Sequence, residues 1–258
     1  MKQTEGMLAQ IRKKTIVELV DVQGFITVSE LCERFGVSPA TIRNDLRELE
    51  ADGRIERIHG GAISCRDADF ASEPEGEAAQ RPQEQEMIAR AALKHIQPGD
   101  AIALDAGAAI GQLARRLGGF DRLSVVTCDL QIAAWLECNS SASLIMVGGQ
   151  VRRGFHCTAG QAAIEAISRL HVDKLFLSAE GVRLDALSTT GMELAALKSA
   201  LIASADRVIL LADSTRLNRR AFVRFAGIEQ VHTLITDSHA DPDLIAQIAE
   251  RGVEVEQV

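Results

Sequence analysis

Two groups of residues have the types and spacings to do chemistry. In the first, Ala40, Asn44 and Arg47 recur at four- and three-residue intervals, with Thr41 and Arg43 beside them. On a helix such spacing gathers side chains on one face. Arginine pairs bidentately with guanine, asparagine with adenine, and a threonine methyl meets that of thymine, so this face has the chemistry to read a major groove. Ser38 at the helix start suits a phosphate. Arg54, Arg57 and His59 further on suit DNA backbone or minor groove. The competing reading pairs Arg43 and Arg47 with acids such as Glu48 and Glu50 on a solvated face, and charge alone leaves both open.

The second group lies at the ends of short apolar runs: Asp105-Ala106-Gly107-Ala108-Ala109, Thr127-Cys128-Asp129, Gly148-Gly149 before Arg152-Arg153, Glu180-Gly181 and Asp213-Ser214-Thr215. Lys198 follows Thr189-Thr190-Gly191 on a helical stretch. Glycines permit close backbone approach, carboxylates bind sugar hydroxyls, and Lys or Arg neutralises phosphate, so the set suits a small phosphorylated polyol. A helix beginning directly after Gly107 would offer its first N–H groups to an anion. Neither a G-x-G-x-x-G fingerprint nor a Walker A loop is present, so a nucleotide is not indicated. Each glycine or aspartate alone also reads as a turn or a cap; their coincidence at several strand ends is what suggests a site. Cys128 reads as a buried spacer, His156-Cys157 is too small a cluster for a metal, and no cofactor is expected.

The elements that must position these residues follow from periodicity. Ile11, Thr15, Ile16, Leu19 and Val20 form a helical stripe ending at Gly24. Thr27 caps a second short helix that turns Val28, Leu31, Cys32 and Phe35 inward, and Gly36 stops it. Ser38 caps a third with Pro39 in its first turn, burying Ile42, Leu46 and Leu49 and ending at Gly53. Arg54 to His59 alternates with period two before Gly60-Gly61, which predicts a small hairpin. Two short helices joined by Phe35-Gly36-Val37 and followed by such a hairpin make a winged helix-turn-helix.

From Glu84 onward, helical stretches alternate with apolar runs. A helix over 84–96 precedes strands at 101–104, 123–127, 144–147, 172–178, 207–212 and 231–236, which predicts a mostly parallel open α/β sheet. In such sheets ligands sit at the carboxyl ends of strands. Ser64 to Pro82 is acidic, poor in large apolar residues and holds two prolines, as a linker would. The expected organisation is therefore a DNA-binding domain at 9–64, a linker at 65–82 and an α/β domain at 83–258.

Composition excludes several classes. The 258 residues are 47% hydrophobic and 25% charged, which excludes a disordered chain. Five scattered cysteines read as reduced small hydrophobes. Net charge is −8, so a nucleic-acid footprint must come from arrangement on one face. Tyrosine is absent and there is one tryptophan, which leaves no stacking platform for single strands. No apolar stretch approaches the roughly 20 residues of a membrane span, and no secretory signal is readable, so a cytoplasmic location is expected.

Val28-Ser29-Glu30-Leu31, Phe35 through Leu46 (FGVSPATIRNDL) and His59-Gly60-Gly61-Ala62 closely resemble the N-terminal domain of the DeoR family of bacterial transcriptional regulators. The resemblance continues through Leu104 to Gly107, Val125 to Thr127, Val147 to Gly149, Asp173 to Leu177, Glu193 to Lys198 and Ala212 to Arg216. It implies a C-terminal sensor similar in fold to ribose-5-phosphate isomerase and glucosamine-6-phosphate deaminase. It also implies effector contacts from Asp105, Gly107, Ala108, Ala109, Thr127, Gly148, Gly149 and Lys198; Gly181 joins them from the strand-end reading. Three departures concern the sensor. Ala108-Ala109 replace the usual hydroxyl residues, Cys128 stands where Asn is frequent, and Asp213 to Arg216 replaces Asp-Ser-Ser-Lys. In the DNA-binding helix, Arg43-Asn44 replaces a common pair of arginines.

The resulting expectation is a repressor of a carbohydrate-metabolism operon. It would bind double-stranded operator DNA as a homo-oligomer, dimer or tetramer, under control of a phosphorylated sugar, without membrane contact and without catalytic residues. The alternative is a sugar-phosphate isomerase or deaminase carrying a DNA-binding domain, with Asp105, Asp129, Glu180 and Lys198 as acid/base groups.

Overall fold

A computed structural model describes residues 12–17, 19–20, 25–51, 54–58, 61–64, 82–152 and 155–258. The chain divides into two compact units, Met1–Pro74 and Glu75–Val258. Of the stretch expected as a linker, 65–81 lies outside the described residues, as do Ile11, Gly24, Gly53, His59, Gly60 and Arg153.

In the first unit, residues 12–17 are helical, and Ile16 and Val17 pack with Val20, Leu31, Ile42, Leu46, Leu49, Ile55 and Ala62 in one core. Helix α1 (Val28–Phe35) starts at a capping box in which Glu30 N–H donates to Thr27 Oγ1 at 3.1 Å and Thr27 N–H donates to Glu30 Oε2 at 2.8 Å. Gly36 ends it with φ 62°, a left-handed conformation glycine adopts without penalty. Helix α2 (Pro39–Ala51) follows, with Thr41 N–H donating to Ser38 Oγ at 3.2 Å. The hairpin is β2 (Ile55–Ile58) with β3 (Gly61–Ser64). A strand absent from the sequence reading, β1 (Phe25–Thr27), pairs antiparallel with β3 and ties the hairpin to the start of α1.

The second unit is a three-layer α/β sandwich. Its helix α3 (Pro82–Leu93) begins two residues earlier than expected, at a proline that suits the first helical turn, and ends three residues before Ile96. The strands are β4 (Ala101–Leu104), β5 (Ser124–Thr127), β6 (Ser143–Met146), β9 (Val172–Leu177), β12 (Ala205–Leu211), β14 (Thr233–Thr236) and β15 (Glu254–Gln257). They form one seven-stranded sheet in the order β15-β14-β12-β9-β4-β5-β6, with every pairing parallel. Alternate residues face two cores. Ile102, Leu104 and Phe176 pack with α3, α4 (Ala108–Ala114) and α5 (Leu130–Asn139). Ala103, Leu175 and Leu177 pack with α6 (Gln161–Ile167), α7 (Met192–Ala203) and α8 (Pro242–Glu250). A hairpin of β7 (Gln150–Arg152) with β8 (Cys157–Ala159), and a small antiparallel sheet of β10 (Gly181–Arg183), β11 (Ala186–Thr189) and β13 (Val223–Ala226), were not expected.

The strand order locates the crevice. From β4 the chain moves outward to β5 and β6, then returns to place β9 on the other side of β4. The order reverses between β4 and β9, and at such a switch point the connections leave in opposite directions and open a cleft above the carboxyl ends. Asp105 follows β4 there and Ser178 follows β9.

Candidate functional site

On α2, Ile42, Leu46 and Leu49 are buried, while Ala40, Arg43, Asn44 and Arg47 are exposed and Thr41 is half-buried. The reading face predicted from spacing is therefore outward. Arg47 Nη1 donates to Asn44 Oδ1 at 3.2 Å, which aligns the two side chains side by side. Glu48, nominated as a competing partner, is instead paired with Lys13. The helix is anchored from behind by Asp45, which accepts from Arg12 Nε at 2.6 Å and Nη2 at 3.2 Å. That hydrogen bond raises the Arg12 pKa further above its ordinary value, against a smaller opposing effect of burial. Ser38 and Arg54 are exposed; Arg57 lies on β2, and His59 is outside the described residues.

In the second unit a buried charge pair lies at this switch point. Asp105 Oδ2 accepts from Lys198 Nζ at 2.5 Å, from Ser178 N–H at 3.0 Å and from Ser178 Oγ at 3.1 Å. Lys198 Nζ also donates to Ser178 O and Ser178 Oγ, each at 3.0 Å. An ammonium group has three donors, and these three acceptors use them all. The two side chains are only 4% and 5% exposed. Burial disfavours the lysine charge, but Asp105 and Glu180 outweigh it and the Lys198 pKa is raised. Gly107 passes so close that a Cβ there would meet Ser178 Cβ at 3.2 Å, and its φ of 143° is one an L side chain resists. The glycine thus lets the β4 loop close onto β9.

The remaining predicted contacts divide by geometry. Ala108 and Ala109 open α4, which is seven residues long and has no side-chain cap. Thr127 is fully buried, and its hydroxyl is used within the fold, donating to Leu104 O at 2.9 Å and accepting from Asp129 N–H at 3.1 Å. Gly148 is open to space, whereas Cβ atoms at Gly149 and Gly181 would lie 2.7 Å from the carbonyls of Ala159 and Arg219. Asp129 caps α5, accepting from Gln131 and Ile132 N–H at 2.8 and 2.9 Å; burial, its dominant influence, raises its pKa. Burial also pushes the Cys128 and Cys157 thiols up to about 12 and about 11, so both are protonated and unreactive near neutrality. Among the described residues no cluster of three or more His, Cys, Asp or Glu forms a metal site.

Sequence reasoning missed Ser178 as the hub, since its bonds to Asp105 span 73 positions in the chain. It also missed the separate setting of Arg152. That guanidinium stacks 4.1 Å from the Phe155 ring centroid, and its Nη1 lies 3.0 Å from where a Cβ of Gly191 would stand at the start of α7.

Two units, one presenting a helix-turn-helix face and one a crevice at a parallel-sheet switch point, define a DNA-binding regulator with a sensor domain. Comparison with known proteins agrees. The DeoR-like helix-turn-helix domain matches residues 12–68 and the DeoR C-terminal sensor domain matches residues 80–238. The HTH-type transcriptional regulator YulB of Bacillus subtilis is 33% identical over 98% of both chains. The HTH-type transcriptional regulator GlpR of Haloferax volcanii is 33% identical over 96% of this chain and 98% of its own. The chain belongs to the DeoR family of transcriptional regulators. Among solved structures, a ribose 5-phosphate isomerase A from Methanocaldococcus jannaschii aligns over 54% of this chain and 55% of its own, with 15% identity and a TM-score of 0.40. At that score the likeness adds nothing to the sheet order itself.

Proposed function

We propose that this regulator represses a carbohydrate-metabolism operon and that a phosphorylated sugar bound in the crevice controls it. The observation that carries the DNA half is the outward face of α2, where Arg43, Asn44 and Arg47 are exposed on a helix clamped from behind. One such helix contacts too little DNA for operator-grade affinity, so a homo-oligomer on repeated half-sites is part of the reading. Relatives in this family include the HTH-type transcriptional regulator UlaR of Escherichia coli, 27% identical over 96% of this chain and 98% of its own. The chain works in the cytoplasm, with its domains at 9–64 and 83–258.

The crevice supports sensing rather than turnover. A general acid needs a proton to give up and a general base a free lone pair within reach of substrate; Lys198 has all three donors engaged, and Asp129 Oδ1 is taken by two N–H groups at the start of α5. The effector would meet the loop 105–109, the backbone at Gly148 and the outer oxygens of Asp105 and Glu180. Binding must favour one arrangement of the oligomer over another to alter DNA affinity. The test is to titrate phosphorylated pentoses, hexoses and hexosamines into the protein–operator complex. Dissociation by one of them at sub-millimolar concentration is the expected result, and an unmoved complex across the panel would refute the sensing half.

A further inference from the structure

Lys198, one of the effector contacts that the family resemblance implies, already has its polar atoms engaged within the fold. Lys198 makes three hydrogen bonds, its counter-charge is Asp105 and it is 3% exposed, so it has neither a donor nor a charge left for a phosphate. A cation beside the start of α7 that pairs with no carboxylate among the described residues is Arg152. It is half-buried and held by stacking on Phe155, and it reaches Gly191 at the start of α7. A guanidinium stacked on a ring keeps its edge N–H donors free and fixed in direction, which suits a tetrahedral anion.

Two further groups near this segment lack partners. Thr189, two residues before Gly191, is fully buried with no partner for its hydroxyl. Glu180 Oε2 is buried without a donor, and Glu180 N–H bonds Ser188 O at 3.1 Å, next to Thr189. Buried polar atoms left unmet within a protein are uncommon and call for a ligand or water. Gly191 has no side chain to cap α7, and Glu193 in the first turn is exposed.

We propose that Arg152 binds the phosphate of the effector, while Glu180 accepts a hydrogen bond from one of its hydroxyls and Lys198 only holds the crevice in shape. This rests on the sensing function proposed above. The test uses full-length protein, thermal unfolding and inorganic phosphate titrated against chloride at matched ionic strength, then ribose 5-phosphate in the same format. Arg152→Gln is expected to unfold at the wild-type temperature without phosphate and to need at least tenfold more phosphate for the same stabilisation. Arg152→Lys, which keeps the charge but loses the fork, is expected to fall between. If Arg152→Gln responds like wild type, the assignment is overturned while the sensing function stands, with the anion then held by the 107–109 backbone. If the wild type responds to neither compound, the assignment of Arg152 to phosphate is overturned, and the titration of the operator complex with the full sugar-phosphate panel decides the sensing function separately.

Discussion

Replacing Lys198 with methionine removes the charge that Asp105 faces and keeps most of the side-chain volume. The partner carboxylate, 5% exposed, then retains Ser178 N–H as a donor and competes with Ala106 O for the single Ser178 hydroxyl proton. Breaking a buried pair from one side costs about 3–5 kcal/mol, because the surviving charge is left without compensation. For a unit of this size each kcal/mol lowers the melting temperature by roughly 2–4 °C, so Lys198→Met should melt roughly 6–20 °C below wild type. Asp105→Asn in the same background neutralises the stranded carboxylate, and the double variant should be more stable than the sum of the single losses predicts. Calorimetric unfolding of all four proteins measures this coupling. A Lys198→Met protein melting within about 2 °C of wild type, or strictly additive losses, would show that the pair is not the buried, mutually dependent unit described and would remove the reason to separate Lys198 from phosphate binding.

Three further outcomes follow from the geometry. Arg47→Ala should weaken operator binding by about 1–3 kcal/mol in a gel-shift titration with the melting temperature unchanged; equal affinity would remove Arg47 from the reading face. Gly36→Ala has open space for its methyl but must hold φ near 62°, so it should lose roughly 1–2 kcal/mol of stability in the N-terminal unit, read by chemical denaturation. Asp129→Asn keeps a cap acceptor for α5 while removing a buried charge. Because the folded pKa of Asp129 is raised, the charged form opposes folding: its unfavourable contribution is absent below the unfolded value near 3.9 and grows as pH rises through the folded value. The variant should therefore equal or exceed wild-type stability at pH 7 and lose that advantage at pH 3–4. A large loss at pH 7 would mean the carboxylate charge itself is needed.

The parts of this protein legible in its sequence are those set by local rules. Thr27, Gly36, Ser38 and Pro39 punctuate two helices through bonds to near neighbours, and the 42/46/49 spacing sets which face of α2 is buried. The six apolar runs marked six of the seven strands of the main sheet: five because a parallel strand covered on both faces is apolar along its length, and the half-exposed edge β6 because Leu144-Ile145-Met146-Val147 is itself an apolar run. Strand β15 escaped because Glu254-Val255-Glu256-Gln257, a half-exposed edge, has three polar residues of four and so gives no apolar run. Strand β1 escaped because three residues carry no period. In the crevice, Asp105 was evident as a strand-end carboxylate, whereas Ser178 is an ordinary serine until the fold brings it to Asp105. Thr127 and Lys198 were matched by type, yet the fold uses their polar atoms internally, and only the hydrogen-bond geometry reveals that.

The central claim is that the exposed face of α2 reads a particular double-stranded sequence. The most direct test is repeated selection of full-length protein on a random duplex DNA library, followed by sequencing. A site enriched as repeated half-sites, and lost when Arg47→Ala protein is used in its place, is the predicted result. A library that emerges with no enriched sequence would contradict it.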